Sequence, residues 1–330
     1  MRAVVCREFG PVDRLELAEL PDPEPGPGEV VIDVSVAAMN FPDTLIVQGN
    51  YQVRPEPPFS PGFEGTGVIS AVGDGVTLQV GSQVVAAFTH GSFAEKWLVP
   101  AASVLAFPNG LSLEEAAGFT ITYGTSFYAL SQRGQLGKGE VLLVLGAAGG
   151  VGSAAVELGK IMGATVIAAA STEDKLSFAA SLGADHTINY TEQELKAAVK
   201  EFTDGRGVDV VYDPVGGELS ETAFRTIAWG GRHLVIGFAA GDIPAIPLNL
   251  PLLKGASIVG AYWGDWLREE PHQAAETVAE LYELAAAGRV HPRVSDVFAL
   301  EQYADGYAAL TSRAAKGKVL LRVAEPSFPR

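Results

Sequence analysis

Cysteine is almost absent: Cys6 is the sole one in 330 residues. No intramolecular disulfide can form, and no cysteine-built zinc cluster is available. Histidine is scarce too. The five, His90, His186, His233, His272 and His291, are scattered and make no H-E-x-x-H pair, so each reads as a surface or loop residue before a ligand. Cations are outnumbered, 23 Lys and Arg against 39 Asp and Glu, for a net charge of -16. That argues against non-specific nucleic-acid binding and against docking on anionic membrane. An anionic cofactor would have to be held by a few local cations and by backbone N–H groups. No apolar run reaches membrane-spanning length without glycine and charge breaks. Arg2, Arg7 and Glu8 interrupt the opening apolar run, so no signal peptide is read there, and the expected location is the cytoplasm. Repeats and low-complexity tracts are also missing. What remains, 48% hydrophobic and 19% charged residues, is the make-up of a globular protein long enough for two domains.

The stretch that organises the chain is Val141-Leu142-Leu143-Val144-Leu145-Gly146-Ala147-Ala148-Gly149-Gly150-Val151-Gly152. Five apolar residues are too short for a free helix and suit a buried parallel strand. From Val151 to Met162 the pattern becomes helical, with Val151, Ala155, Leu158 and Met162 on one face and Gly163 as the stop. Strand, glycine turn and helix together bring backbone N–H groups and a helix N-terminus up to a pyrophosphate. Ala148, Gly149, Gly150 and Val151 are the candidates for that contact. Read as G-x-G-x-x-G, Ala147 takes the first place, Gly149 the second and Gly152 the third. Further strand-like runs follow at Thr165–Ala170, His186–Tyr190, Val208–Asp213, Arg232–Phe238 and Ser257–Tyr262. Their rhythm predicts an α/β fold with a doubly wound parallel sheet over residues 123–265.

Residues 1–122 read differently. Met1–Arg7 and Leu15–Leu20 are expected to pair; Glu29–Ala38, Gly65–Val72, Ser82–Phe88 and Phe93–Val99 are short strands between Gly, Pro and Asp turns. This predicts a partly closed barrel. Leu113–Leu130 is helical in part, with Ser112 as N-cap. Residues 266–330 hold a helix at Pro271–Ala287, a strand at Val297–Leu300, a short helix at Gln302–Arg313 and a last strand at Lys318–Val323. They are too few for a domain and are assigned to the first one, giving 1–122 plus 266–330.

Several segments carry a family likeness: Asn40-Phe41-Pro42-Asp43, Gly49-Asn50-Tyr51, Pro61-Gly62-Phe63-Glu64-Gly65-Thr66-Gly67, the glycine turn, Leu182-Gly183-Ala184-Asp185, Tyr212-Asp213-Pro214-Val215-Gly216-Gly217 and Gly317-Lys318-Val319. In these the chain resembles the medium-chain dehydrogenase/reductase superfamily, and within it the zinc-free quinone oxidoreductase, or zeta-crystallin-like, branch. The resemblance implies a GroES-like β-rich catalytic domain plus a Rossmann domain. The zinc alcohol dehydrogenases of the superfamily place cysteine where this chain has Asn40 and histidine where it has Phe63. Neither is a usual zinc ligand, so no metal is expected and alcohol oxidation is disfavoured.

In NAD-preferring folds an acidic residue ends the second strand. The corresponding place here, about twenty residues past the glycines, is Ala169-Ala170-Ser171-Thr172, followed by Lys175. No carboxylate repels a 2′-phosphate there, so NADP(H) is the expected cofactor. The resemblance places Lys175, Tyr190 and Arg313 around the 2′-phosphate with Ser171 bonding it, and Thr125, Gly237, Phe238, Tyr262 and Trp263 near the nicotinamide. Thr125 either bonds the carboxamide or bonds back to its own helix; the aromatics either line a cleft or pack the core. Asn40, Asp43 and Tyr51 are the catalytic candidates. The activity implied is metal-free hydride transfer from NADPH to a quinone or another conjugated carbonyl compound. One alternative is a 2-enoyl thioester reductase with Tyr51 as proton donor or enolate stabiliser, a role open to a hydroxyl of ordinary pKa about 10. Another is a crystallin-like nucleotide-binding protein with little catalysis. A homodimer, paired through a sheet edge such as Ser257–Tyr262, is also implied.

Overall fold

In the computed structural model, which describes residues 1–324, the chain divides into two units: Met1–Ile121 together with the stretch from Ala285 onwards, and Thr122–Leu284. In chain order the first unit opens with β1 (Arg2–Val5), β2 (Glu16–Glu19), β3 (Glu29–Met39), α1 (Phe41–Ile46), β4 (Glu64–Val72), β5 (Gln83–Ala87), β6 (Lys96–Pro100), β7 (Val104–Ala106) and α2 (Leu113–Ala117). Helix α3 (Phe119–Phe127) crosses into the second unit and runs on as a π turn, Tyr128–Arg133. The second unit continues with β8 (Val141–Leu145), α4 (Gly150–Ile161), β9 (Thr165–Ala170), α5 (Glu173–Ser181), β10 (His186–Asn189), α6 (Leu195–Phe202), β11 (Val208–Asp213), α7 (Gly217–Phe224), β12 (Ile227–Val235), α8 (Asn249–Lys254), β13 (Ser257–Gly260), α9 (Trp263–Glu269) and α10 (Pro271–Ala286). The chain then returns to the first unit with β14 (Val294–Ala299), α11 (Tyr303–Thr311) and β15 (Lys318–Arg322).

β1 and β2 pair antiparallel. The main sheet of the first unit runs β14-β15-β3-β4-β5-β7, with β6 also on β3. β3 makes this possible by its length: Glu29–Asp33 pairs with β6, while Val36–Met39 pairs with β15. Register shifts between Val31 and Ile32 and between Val34 and Val36 bend the strand, as bulges do. Its inward residues join Val4, Phe93, Trp97, Tyr307 and Leu321 in one apolar core.

All six strands of the second unit are parallel, in the order β10-β9-β8-β11-β12-β13. Leu142–Leu145 and Val166–Ala169 are wholly buried, which is why both read as unbroken apolar runs. The order reverses beside β8, and the crevice at such a reversal is where ligands of this architecture bind. This is the α/β architecture expected, a β-rich unit with a doubly wound one.

Two expectations need correction. The boundary expected at 265/266 differs from the observed division, which keeps 266–284 with the second unit. Trp266 stacks on Tyr128 at 4.2 Å between ring centroids, which ties α9 to the π turn that ends α3. The strand expected at Arg232–Phe238 is displaced: β12 starts at Ile227 and stops at Val235. The Ile236 N–H makes the last bond of the β11–β12 ladder, to the Asp213 carbonyl that the Gly237 N–H shares at 3.4 Å, and the chain then leaves the sheet.

Candidate functional site

The glycine turn between β8 and α4 is tighter than its sequence register suggests. Gly146, not Ala147, takes the left-handed conformation, with φ +58°. Ala147 donates its N–H to Ala169 on β9. A Cβ on Gly152 would stand 2.2 Å from the carbonyl oxygen of Gly146, so only glycine lets the first turn of α4 close on the end of β8. The spacing in force is therefore Gly146, Gly149, Gly152. Gly149 caps α4, and the N–H groups of Gly150 and Val151 lie in the first turn, where no intrahelical acceptor exists. Gly149 is exposed and Gly150 and Val151 half-buried, whereas Ala148 is buried. This cradle fits a pyrophosphate.

At the end of β9, Thr172 caps α5 and accepts from the Lys175 N–H at 3.4 Å. That cap turns the lysine side chain back, and its Nζ donates to Ser171 Oγ at 3.3 Å. Tyr190 joins them, since its N–H bonds the carbonyl of Ala170. Two acids flank the pair in sequence: Glu173, which accepts from Asn189 Nδ2 at 3.3 Å, and Asp174 beside Lys175. Lys175 and Ser171 thus meet at the end of β9, with the Tyr190 backbone beside them and its ring packed on the apolar core. Arg313 belongs to the first unit, in the left-handed position (φ +58°) that follows α11.

On the other side of the sheet reversal, Thr125 rides half-buried on α3. The bond back to the helix that a helical hydroxyl often makes is made by its neighbour: Ser126 Oγ donates to Thr122 O at 2.8 Å. Ser126 also lies 2.8 Å from Tyr212 Oη on β11 and 3.0 Å from Val151 O, joining helix, sheet and glycine turn. Gly237 and Phe238 are half-buried in the segment after β12. Trp263 is a packing residue. It is 6% exposed, and a Cβ on Gly124 would meet its ring at 2.6 Å. Tyr262, 42% exposed, is the open member of that pair.

The first unit supplies a buried polar cluster. Asn40 caps α1; its own N–H donates to Asp43 Oδ2 at 2.7 Å, and Gly62 N–H donates to Asp43 Oδ1 at 3.0 Å. Asp43 has no exposed surface, and burial pushes its carboxyl up to about 7 against the pull of those N–H donors and of Lys318. The Asn40 side-chain amide donates to Ala38 O at 3.3 Å and to Glu64 Oε1 at 3.0 Å. Its Oδ1 accepts from Lys318 Nζ at 2.6 Å. Both amide protons are spent inside the protein, so Asn40 shapes the site rather than donating to a ligand. Tyr51 is half-buried, its ring edge-on to Phe63 at 5.5 Å and 80°.

Sequence reasoning gave Lys318 no role in the site and read His233 as a surface or loop residue. Lys318 reaches from β15 to Met39 O, Asn40 Oδ1 and Glu64 Oε1, all within 2.9 Å. The second Glu64 oxygen accepts from Ile121 N–H in the first turn of α3. Its place in the Gly317-Lys318-Val319 segment, at the head of the apolar run Val319–Leu321, was the available signal. His233, expected at the surface, is 1% exposed and lies 3.0 Å from Asp213. β12 lies inside the sheet between β11 and β13, where both His233 and its neighbour Leu234 are covered. Among the described residues, no group of three His, Cys, Asp or Glu is placed to hold a metal ion, and no helix is long and apolar enough to cross a membrane.

A zinc-binding dehydrogenase family profile matches residues 150–280, and an alcohol dehydrogenase GroES-like domain profile matches residues 26–109. The rat quinone oxidoreductase-like protein 2 is 36% identical over 97% of this chain and 91% of its own length. A 2-haloacrylate reductase from a Burkholderia species is 32% identical over 97% of this chain and 98% of its own. The quinone oxidoreductase of Thermus thermophilus, solved alone and with NADPH, is 35% identical, with a TM-score of 0.85 over 98% of this chain and all of that one. Likeness at this level runs the length of both units, and the chain belongs to the quinone oxidoreductase family of medium-chain dehydrogenases/reductases.

Proposed function

We propose that this protein is an NADPH-dependent oxidoreductase that reduces a quinone or another activated, conjugated carbonyl compound, and that it works as a homodimer in the cytoplasm. The observation that carries the cofactor choice is the Lys175–Ser171 pair at the end of β9, with Glu173 drawn off to Asn189. A 2′-phosphate would meet an ammonium and a hydroxyl there. The Gly149–Val151 turn would hold the pyrophosphate through N–H groups, which suits a protein of net charge -16. When bound, the reduced nicotinamide supplies a hydride from its C4. The protein's own share is orientation and exclusion of water. Thr125 offers a hydroxyl to the carboxamide, and Gly237 and Phe238 offer backbone and an aromatic face. Asn40 and Asp43 hold α1 in place, and Tyr51 offers a hydroxyl to an oxygen on which charge develops.

The reductase of 2-haloacrylate among the relatives favours a second reading, reduction of a C=C bond conjugated to a carbonyl. Hydride then goes to the β-carbon, the α-carbon takes a proton, and Tyr51 steadies the enolate between the two steps. Parallel assays with 9,10-phenanthrenequinone and crotonyl-CoA separate the readings. Turnover of the quinone alone supports the first, turnover of the thioester alone the second, and loss of only the thioester reaction in Tyr51→Phe assigns Tyr51 to it. For the cofactor, Lys175→Ala is expected to weaken NADPH binding about tenfold and leave NADH unchanged. Equal effects on the two would refute the assignment.

A further inference from the structure

One buried carboxylate organises the loops that leave β11 and β12. Asp213, the last residue of β11, is 3% exposed. Its Oδ1 accepts from Val215 N–H and Gly216 N–H, each at 2.9 Å. Its Oδ2 accepts from Ser220 Oγ on α7 and from His233 Nε2 on β12, the latter at 3.0 Å. Four donors saturate the carboxylate. The residue types are those of a hydrolytic triad, but the order is wrong: the serine donates to the aspartate rather than to the histidine, and Ser220 is fully buried. No nucleophile is prepared here. Burial alone would raise the Asp213 carboxyl; the His233 bond and charge, the Ser220 bond and the Gly216 N–H outweigh it and hold it below its usual value.

The turn so held is an improbable conformation on its own. Gly216 and Gly217 are both left-handed, with φ +74° and +62°. Its backbone is laced to the segment after β12: Pro214 O accepts from Ala239 N, Val215 O from Ala240 N, and Gly217 N donates to Asp242 O. A Cβ on Gly216 would stand 3.0 Å from Phe238 Cδ1, so the turn lies directly against that ring. On its other side Val215 Cγ2 comes within 3.0 Å of the Cβ position of Gly146, the residue that starts the phosphate turn. The turn thus touches both the phosphate-binding turn and the residues proposed for the nicotinamide. Packing alone does not call for a buried carboxylate, since apolar residues fill space without the desolvation penalty.

We infer that Asp213 is a positioning residue: with Ser220 and His233 it locks the Pro214–Gly217 turn, and through that turn sets Gly237 and Phe238 for the nicotinamide half of the cofactor. The inference rests on the NADPH reading above for what Phe238 faces, and on the geometry alone for what Asp213 holds. Two measurements on the full-length protein test it. The first compares the dissociation constants of NADPH and of adenosine 2′,5′-bisphosphate, which carries the adenine end without nicotinamide. Asp213→Asn is expected to weaken NADPH about tenfold and leave the bisphosphate within about twofold. Equal weakening of both ligands, or of neither, overturns the inference. The second is amide hydrogen exchange in the cofactor-free protein, where residues 214–217 and 236–242 are expected to exchange faster while β8 and β9 stay as in wild type. Ser220→Ala, which removes one donor, is the milder variant should Asp213→Asn not fold. Unchanged exchange in these segments overturns the inference whatever the cofactor. Failure of the wild-type protein to bind NADPH would count against the cofactor reading, and the exchange result would still decide the role of Asp213.

Discussion

Replacing Lys318 by methionine keeps the stem and deletes the ammonium. The ammonium is 5% exposed and has all three protons in use, on Met39 O, Asn40 Oδ1 and Glu64 Oε1 at 2.6–2.9 Å. Glu64 is 1% exposed. After the substitution its carboxylate keeps two donors, Asn40 Nδ2 and Ile121 N–H, but loses its cation. Breaking a buried pair from one side costs about 3–5 kcal/mol, because the remaining charge is stranded. For a unit of this size each kcal/mol moves the melting temperature by about 2–4 °C. A fall of roughly 6–20 °C is therefore expected in calorimetry. The double variant Glu64→Gln/Lys318→Met removes the stranded charge and is expected to recover at least half of that loss. If Lys318→Met melts within about 2 °C of wild type, or if the double variant is no better than the single, the pair does not carry the energy assigned to it.

The Asp43 carboxyl, raised to about 7 from an ordinary 3.8, holds its proton more tightly in the folded than in the unfolded chain. The folded state then binds more protons between those values, so the stability Asp43 contributes declines as pH rises from about 4 to about 7. Urea denaturation at pH 5 and pH 8 is expected to show wild type losing ground to Asp43→Asn at the higher pH; a gap that does not change with pH refutes this. The apolar surface around α8 and β13, where Trp229, Leu248 and Leu252 are 78–81% exposed, is expected to be covered in a dimer. Light scattering at micromolar concentration should give a dimer for wild type and a monomer for Trp229→Glu/Leu252→Glu. A monomeric wild type, or a variant that stays dimeric, removes that assignment.

The parallel sheet was legible because its strands are buried on both faces, so Val141–Leu145 and Thr165–Ala170 show as apolar runs closed by turns. The glycine turn was legible in kind but not in register. Ala147 looked like the first position of a motif, whereas the left-handed residue is Gly146. Strand β12 was misplaced because Trp229-Gly230-Gly231 reads as a turn, yet the backbone runs through it as strand. The grouping of Ser171, Lys175 and Tyr190 was implied by the family resemblance; the strand pattern alone located only the end of β9, where no carboxylate stands. The buried polar groups stayed hidden for a different reason. His233 meets Asp213 only through the β11–β12 register, which sets His233 opposite Val211 and Val235 opposite Asp213. Lys318 meets Asn40 and Glu64 across 278 and 254 residues. Local periodicity carries no information over such distances.

That last separation has a consequence for how the molecule is made. Glu64 leaves the ribosome long before the lysine that neutralises it, and the intervening chain builds a sheet with its own core. The nascent first unit lacks the strand that pairs with Val36–Met39 as well as the ammonium beneath Asn40. Its order is completed by the emergence of residues 294–322, not by the synthesis of its own first 121 residues. The half of the protein that begins first is the half that finishes last.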